Sequence, residues 1–100
     1  MERGGCVYIL TNSRHTVLYT GVTSDLQSRI YEHLHHVYPN AFTNRYKVYK
    51  LVYYKFFSDI EEAIAEEKRI KGGSRAQKIA LIEELNPDWN DLYEKEIKFW

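Results

Sequence analysis

One carboxylate stands in the sequence where a helical pattern calls for an apolar side chain. Residues 58–73 predict a helix, with a capping pattern at Ser58 and Glu61 and two glycines as a stop. Its apolar face contains Ile60, Ala63 and Ile64, with Ile70 at its edge. On a wheel of about 100° per residue, Glu67 falls in the middle of that face, where an unpaired carboxylate costs several kcal/mol. Glu67 is therefore a metal ligand or an acid beside a pocket, unless it forms an ion pair with an arginine or the wheel is off by one residue.

Two tyrosines lie at the centres of two short apolar runs near the start of the chain. Tyr8 belongs to the run 6–10 and Tyr19 to the run 18–22, with a polar, turn-forming segment between them. This pattern predicts a β-hairpin. The sequence does not fix the register between the strands, so it leaves open whether the two rings meet. A phenol can orient water, but tyrosines on strands more often pack in a core.

The helix predicted after the hairpin carries two more candidates beside its apolar stripe. Ser24 and Gln27 form a capping pattern at its start. The stripe contains Leu26, Ile30, Leu34 and Val37. Arg29 and His33 border it on a helical wheel; the planar fork of an arginine suits a phosphate, and a histidine can contact phosphate or move a proton. The alternatives are a salt bridge for Arg29, for example with Glu67, and a partly buried structural role for His33.

The remaining pattern completes an α+β order of elements, β-β-α-β-α-α. Residues 47–57 predict a strand, which we place at the centre of the sheet because large apolar residues dominate it. Residues 38–46 before this strand predict a loop. A third capping pattern, at Ser74 and Gln77, predicts a last helix that ends before a proline.

The length and the composition indicate one folded domain. A chain of 100 residues with 44% hydrophobic residues can bury a single core. We assign residues 1–86 to that domain and residues 87–100 to an aromatic tail packed on it or on a partner. No apolar run is long enough to span a membrane, and one cysteine cannot form an internal disulfide, so we expect a cytoplasmic protein.

Charge is distributed unevenly along the chain although the net charge is zero. Residues 1–55 contain seven Lys and Arg against three Asp and Glu, whereas residues 56–100 contain seven against eleven. The half that carries the two tyrosines could therefore present a positive surface to a polyanion. Ordinary surface variation explains the same asymmetry.

Together these motifs resemble those of the GIY-YIG nuclease superfamily, and more closely those of its small stand-alone bacterial members. The resemblance covers residues 5–82, and Cys6 and Thr20 replace the first glycine and the middle isoleucine of the two name-giving motifs. The matching segments are Val7-Tyr8-x-Leu10-x-Asn12, Tyr19-Thr20-Gly21-Val22-Thr23-x-Asp25-Leu26-x-x-Arg29-x-x-x-His33 and Glu62-Ala63-x-x-x-Glu67-x-x-Ile70-Lys71.

The resemblance implies a fold, an activity and a cofactor. It implies a three-stranded antiparallel sheet flanked by helices. The implied activity is that of an endonuclease of repair or structure-processing type, which hydrolyses phosphodiester bonds of DNA with one divalent ion, Mg²⁺ or Mn²⁺. Single-stranded and branched DNA are the substrates we consider.

The resemblance also implies roles for individual residues. Tyr8 and Tyr19 would be the motif tyrosines, one of them near the attacking water. Arg29 would stabilise charge on the phosphate and Glu67 would hold the metal, with His33 as a further catalytic candidate. The residues assigned to substrate binding are Asn12, Gly21, Thr43 and Arg45.

Two other functions remain open from the sequence. The first is a non-catalytic module that binds nucleic acid with the same fold and positive groove. The second is a partner-binding domain, for example a homodimer that uses the aromatic tail. We prefer the nuclease because competent residues occupy all four core positions of the implied site.

Overall fold

The sheet of the protein has three antiparallel strands, and the first strand lies in its centre. The computed structural model describes residues 4–38 and 41–100. The strands are β1 (Gly5–Thr11), β2 (Leu18–Thr23) and β3 (Lys50–Phe57), in the order β2-β1-β3. The predicted α+β class and antiparallel sheet are confirmed. Our placement of the third strand at the centre was wrong, because β3 pairs with β1 alone and its large side chains are covered by helices.

Five helices and one 3-10 turn surround the sheet in the described part of the chain. They are α1 (Leu26–Leu34), α2 (Phe42–Arg45), α3 (Ile60–Lys71), α4 (Arg75–Leu85), α5 (Leu92–Lys95) and the 3-10 turn Ile97–Phe99. Of the two four-residue helices, α2 was not predicted. α2 lies inside the segment predicted as a loop. A helix of four residues is too short to produce a recognisable helical period in the sequence.

The starts of the helices follow the sequence, but two of the three caps are shifted by one residue. Ser74 and Gln77 form the predicted capping box of α4. Asp25 and Asp59 cap α1 and α3 in place of the serines that precede them, each accepting a hydrogen bond from a backbone amide of the first turn. A carboxylate is a better acceptor for these amides because the helix dipole favours negative charge there.

Helix α1 ends earlier than the apolar stripe suggested. It stops at Leu34, and Val37 is half exposed where we expected it to be buried. The predicted stop at Pro39 and Asn40 lies outside the described residues. His33 takes the inward position at the end of the helix and is 5% exposed.

Alternate residues of β1 divide the protein into two cores, one on each face of the sheet. The α1 face contains Cys6, Tyr8, Leu10, Leu26, Ile30, Val48, Leu51, Leu92 and Ile97. The α3 face contains Val7, Ile9, Val52, Tyr53, Ala63, Ile70, Ile82 and Trp89. Because successive side chains of a strand point to opposite faces, α1 and α3 lie on opposite sides of the same sheet.

The buried line of α3 differs from the predicted one. Ala63 and Ile70 are buried, whereas Ile60 and Ile64 are more than a third exposed. Ala63 approaches β1 at Gly5, where an added Cβ would lie 2.6 Å from the Ala63 Cβ. This close approach turns the helix so that its sheet-facing line passes through Ala63 and leaves the two isoleucines at its side.

The last fifteen residues join the body of the protein. Leu92 and Ile97 are buried in the α1 face, and the side-chain amide of Gln27 on α1 donates to the backbone oxygens of Ile97 and Trp100. At the outer edge of β3, Asn86 donates from Nδ2 to the carbonyl of Val52 at 3.1 Å. The tail thus supports α1, and Asn86 directly before it supports the edge of the sheet.

No helix among the described residues is long and apolar enough to cross a membrane. The boundary proposed at residue 86 stays a prediction.

Candidate active site

Tyr8 lies in the middle of the central strand and crosses directly over a glycine of its neighbour. It pairs with Gly21 of β2, and it is 1% exposed. A Cβ added to Gly21 would overlap Cζ and Oη of the Tyr8 ring. Gly21 has no positive φ, so the strand needs its small size and not its backbone freedom. The glycine therefore makes room for a tyrosine ring that lies flat across the sheet.

The hydroxyl of Tyr8 begins a buried chain of polar contacts. It lies 3.3 Å from Nε2 of His33, and Nδ1 of His33 lies 2.8 Å from Oγ1 of Thr43. Thr43 is 2% exposed, so all three groups are removed from water. A neutral histidine accepts one of these hydrogen bonds and donates the other. His33 thereby ties the central strand to α1 and α2.

Burial sets the protonation state of this chain. It raises the pKa of Tyr8 to about 12, and the nearby guanidinium of Arg29 offsets only part of that rise. It lowers the pKa of His33 to about 4, with the positive charge of Arg29 acting in the same direction. Near neutral pH Tyr8 is therefore a phenol and His33 a neutral imidazole.

Arg29 holds its charge at the border of the same cluster. Its side chain is 32% exposed and forms an ion pair with Glu32 at 3.3 Å. The ion pair with Glu67 that the sequence allowed is therefore not formed. The guanidinium also lies 5.5 Å from the ring centre of Tyr38, within the range of a cation–π contact. Arg29 thus presents a partly solvated positive fork beside the buried polar chain.

Tyr19 lies on the edge strand β2 and is more open than Tyr8. Its ring centre is 6.4 Å from that of Tyr8 and 6.0 Å from that of His33. The two motif tyrosines therefore meet, although the residue paired with Tyr19 across the strands is Leu10. On its outer side the Tyr19 ring stacks against Phe42 at 5.8 Å. Tyr19 forms the boundary between the buried polar chain and the surface.

Glu67 belongs to α3, the helix on the other face of the sheet. It lies on the sheet-facing side of α3, four residues after Ala63, and its side chain is 13% exposed. Its carboxylate pairs with Lys71 at 2.8 Å. α3 packs on β1 and β2 from the face opposite to α1.

Asn12 and Arg45 occupy different settings from the cluster. The side chain of Asn12 accepts hydrogen bonds from the amides of Thr16 and Val17 and donates to the Thr16 hydroxyl, so it builds the hairpin loop. Arg45 ends α2 and is exposed. Substrate roles for both residues stay predictions.

The sequence did not single out Phe42 as part of the site. Its ring covers Tyr19, and it stands one position before Thr43, the partner of His33. Phe42 is 45% exposed, which is unusual for so large an apolar side chain. The signal available in the sequence was an aromatic residue inside a segment predicted as a polar loop.

Comparison with known proteins places the chain among small proteins of the same size. Residues 4–80 match the GIY-YIG catalytic domain. A UPF0213 protein of Clostridium perfringens is 40% identical over 91 residues, covering 91% of this chain and 95% of that protein. A UPF0213 protein of Syntrophus aciditrophicus is 37% identical over 82 residues, covering 82% and 92%.

A solved structure has the same fold. The solution NMR structure of a UPF0213 protein from Bacillus halodurans superposes with a TM-score of 0.56 at 27% identity, covering 92% of this chain and 96% of that one. This similarity over most of both chains supports the three-stranded sheet and its flanking helices. The chain belongs to the GIY-YIG nuclease family.

Proposed function

We propose that the protein is an endonuclease that hydrolyses phosphodiester bonds of DNA with the help of one divalent ion. The observation that carries this proposal is the cluster on the α1 face. There the rings of Tyr8, Tyr19 and His33 lie within 6.4 Å of one another beside Arg29. A phosphate at the rim of this cluster would meet a guanidinium, a partly open phenol and a rigid polar support.

Arg29 and Tyr19 are the residues of this cluster that face the substrate. Arg29 supplies positive charge where a phosphate gains negative charge during hydrolysis, and its fork can donate two hydrogen bonds. Tyr19 is half buried on an edge strand, so its hydroxyl can reach both solvent and substrate. We assign to Tyr19 the orientation of the attacking water.

Tyr8 and His33 act by positioning. Tyr8 keeps its proton near neutral pH because its pKa is raised to about 12, and it is 1% exposed. A buried phenol in this state is a hydrogen-bond donor and a poor base. The hydrogen bonds from Tyr8 through His33 to Thr43 fix the distance between α1 and the sheet. They thereby fix the position of Arg29, which lies on α1.

Glu67 has the chemistry of a magnesium or manganese ligand. In the described residues no group of three or more His, Cys, Asp and Glu side chains could hold a metal ion. One carboxylate completed by water and substrate phosphate is nevertheless a normal environment for Mg²⁺. Such an ion, when bound, supplies positive charge to the phosphate and the leaving oxygen. Lys71 pairs with Glu67 from an exposed position and can give way.

The position of Glu67 suggests where the substrate lies. Tyr19 packs against the α1-face core, Glu67 belongs to the helix on the α3 face, and β2 is an edge strand. A phosphodiester that crosses the outer edge of this strand can reach both sides, whereas one that lies in the centre of either face cannot. The proposed scissile position is therefore over the edge of β2.

The decisive experiment compares two glutamates of the same helix. Glu67→Gln keeps the shape of the side chain and removes its charge. Glu66→Gln is the matched control, because Glu66 is 17% exposed and also pairs with a basic neighbour, Arg69. Purified wild type and both variants are given labelled single-stranded, duplex and branched DNA with Mg²⁺ or Mn²⁺.

We expect Glu67→Gln to lower the cleavage rate by about 100-fold or more, in the range measured when one charge-stabilising group is removed. Glu66→Gln should cleave at the wild-type rate. Equal cleavage by wild type and Glu67→Gln would contradict the proposal. DNA binding without cleavage by the wild type, with either ion, would instead indicate the non-catalytic module.

A further inference from the structure

We propose that Tyr19, Phe42 and Tyr46 form an aromatic platform that stacks the unpaired bases of single-stranded DNA beside the candidate active site. This inference rests on the proposed function and names its substrate class. The substrate would be a DNA strand whose bases are free of a complementary strand where they meet the protein.

The three rings form a contiguous row of aromatic contacts that opens to solvent. The ring centres of Tyr19 and Phe42 are 5.8 Å apart, with planes inclined by 27°. Those of Phe42 and Tyr46 are 4.5 Å apart, with planes tilted by 39°. Phe42 and Tyr46 are 45% and 46% exposed, so the outer end of the stack is uncovered. A base added to this end would continue a stack that the protein has begun.

The charge around the platform fits a polyanion. Residues 41–49, which contain Phe42 and Tyr46, include Arg45 and Lys47 and no Asp or Glu. Arg45 and Lys47 flank Tyr46 in the chain, and both are exposed. A surface that repels acidic partners and combines basic with aromatic side chains is typical of proteins that hold single strands.

The platform is built into the candidate active site. Phe42 stands next to Thr43 in α2, and Thr43 is hydrogen-bonded to His33. The inner ring of the stack, Tyr19, is itself the tyrosine assigned to the attacking water. A base held on Phe42 and Tyr46 therefore places the adjoining phosphates near Tyr19 and Arg29.

Paired bases cannot use this platform. In a duplex each base already stacks on its neighbours and its partner occupies the edge, so the flat faces are not free. An unpaired base has a free face, and aromatic rings stack every base without regard to its identity. We therefore expect preference for single strands with little sequence preference.

The test measures binding without cleavage. The full chain is titrated by fluorescence anisotropy, in EDTA, into a labelled short oligothymidylate, an abasic oligonucleotide of equal length and a duplex. Phe42→Ala and Tyr46→Ala remove rings of the platform. Phe99→Ala is the matched control, since Phe99 is 74% exposed and has Lys98 beside its ring.

We expect wild type to bind the oligothymidylate more tightly than the abasic strand and the duplex. Phe42→Ala and Tyr46→Ala should each weaken binding of the oligothymidylate by at least about fivefold, the lower end of the effect of one stacking ring. Binding of the abasic strand should change by less than about twofold, because the charge is unchanged. Phe99→Ala should behave as wild type, and Phe42→Trp should retain tight binding.

Three results would overturn the inference. They are equal wild-type affinity for the base-bearing and abasic strands, equal affinity for single strand and duplex, and an unchanged affinity in both alanine variants. A dimer in solution that Phe42→Ala dissociates, without any effect on DNA affinity, would assign the surface to a second copy of the chain. Circular dichroism verifies that the variants fold.

The outcome is separable from that of the proposed function. Base-dependent binding with no cleavage by the wild type would retain the platform and refute the nuclease. Cleavage that Glu67→Gln abolishes, with full binding by Phe42→Ala and Tyr46→Ala, would retain the nuclease and refute the platform.

Discussion

The two faces of the sheet are made by alternate residues of the same central strand, yet their interiors differ in kind. On the α3 face, Val7 and Ile9 meet alanine and isoleucine side chains of α3 and α4. On the α1 face, Tyr8 carries a hydroxyl into the core and meets His33, which in turn meets Thr43. The α1 face thus buries a connected chain of three polar side chains, whereas the side chains that meet Val7 and Ile9 on the α3 face are mainly aliphatic.

This difference indicates that the two faces of the sheet have different roles. An apolar interior is the less costly way to gain stability, because buried polar groups must find partners to offset their lost hydration. We infer that the α3 face chiefly stabilises the fold. The buried polar groups of the α1 face lower the stability of the fold but fix the positions of Arg29 and Tyr19. Glu67 is the exception, since a carboxylate borders the buried line of the stabilising face.

The largest expected effect on stability lies on the α3 face. Ile9→Ala removes a side chain that is fully buried against α3 and should lower the free energy of unfolding by about 4 kcal/mol, as usual for such truncations. The cleavage rate per folded molecule should stay at the wild-type value. Urea unfolding and a cleavage assay on the same sample provide both quantities. A lower cleavage rate in the folded fraction would contradict the inference that the α3 face chiefly stabilises the fold.

A matched pair of glycines sharpens the comparison. Gly21→Ala places a methyl group against Tyr8, and Gly5→Ala places one against Ala63 and Ile60. Both should destabilise by about 3 kcal/mol, at the upper end of the cost of overpacking. Gly21→Ala alone should also reduce cleavage in the folded fraction, because it displaces Tyr8. Thermal unfolding and cleavage are measured side by side, and equal cleavage by both variants would contradict a special role of the α1 face.

The next effect is a dependence of stability on pH that originates on the α1 face. The pKa of His33 is about 4 in the folded protein and about 6.5 when unfolded. Between these values the unfolded chain binds a proton that the folded protein does not. The free energy of unfolding should therefore fall by about 2.5 kcal/mol as the pH is lowered from about 6.5 to about 4.

His33→Gln isolates this contribution because glutamine can hydrogen-bond but does not titrate in that range. Urea unfolding of wild type and variant across the same pH values gives the difference in slope. Parallel curves for the two proteins would show that His33 is not held neutral by the fold.

The smallest expected effect compares two tyrosines. Tyr8→Phe leaves the ring in place and removes the hydroxyl that meets His33, at a cost of about 1 kcal/mol. Tyr53→Phe is the control on the α3 face, where Tyr53 is 6% exposed. We expect slower cleavage for Tyr8→Phe and unchanged cleavage for Tyr53→Phe. The same rate for both would remove Tyr8 from the site.

Local patterns in the sequence were sufficient to predict the hairpin, the third strand and the long helices. The capping box at Ser74 was predicted to the residue, since such a box depends on neighbours three positions apart. The nearby aspartates were overlooked as caps at Asp25 and Asp59, because a capping pattern of similar spacing began one residue earlier.

The sequence did not predict which distant residues of the chain come into contact. The register that sets Tyr8 opposite Gly21, and the central place of β1, depend on pairings between distant residues. The contact between His33 and Thr43 depends on how the chain returns after α1. For the same reason a helical wheel could place Glu67 near the sheet-facing side of its helix but could not show which face of the sheet that helix covers.

Asn86 has a consequence for the behaviour of the protein in concentrated solution. A strand at the margin of a sheet exposes amides and carbonyls that can recruit a strand from another molecule, the first step of many aggregates. Asn86, 4% exposed, occupies the carbonyl of Val52 on that margin and is itself braced by the backbone of Asn90. Its loss would therefore open β3 to pairing between molecules, and the damage would first appear as precipitation.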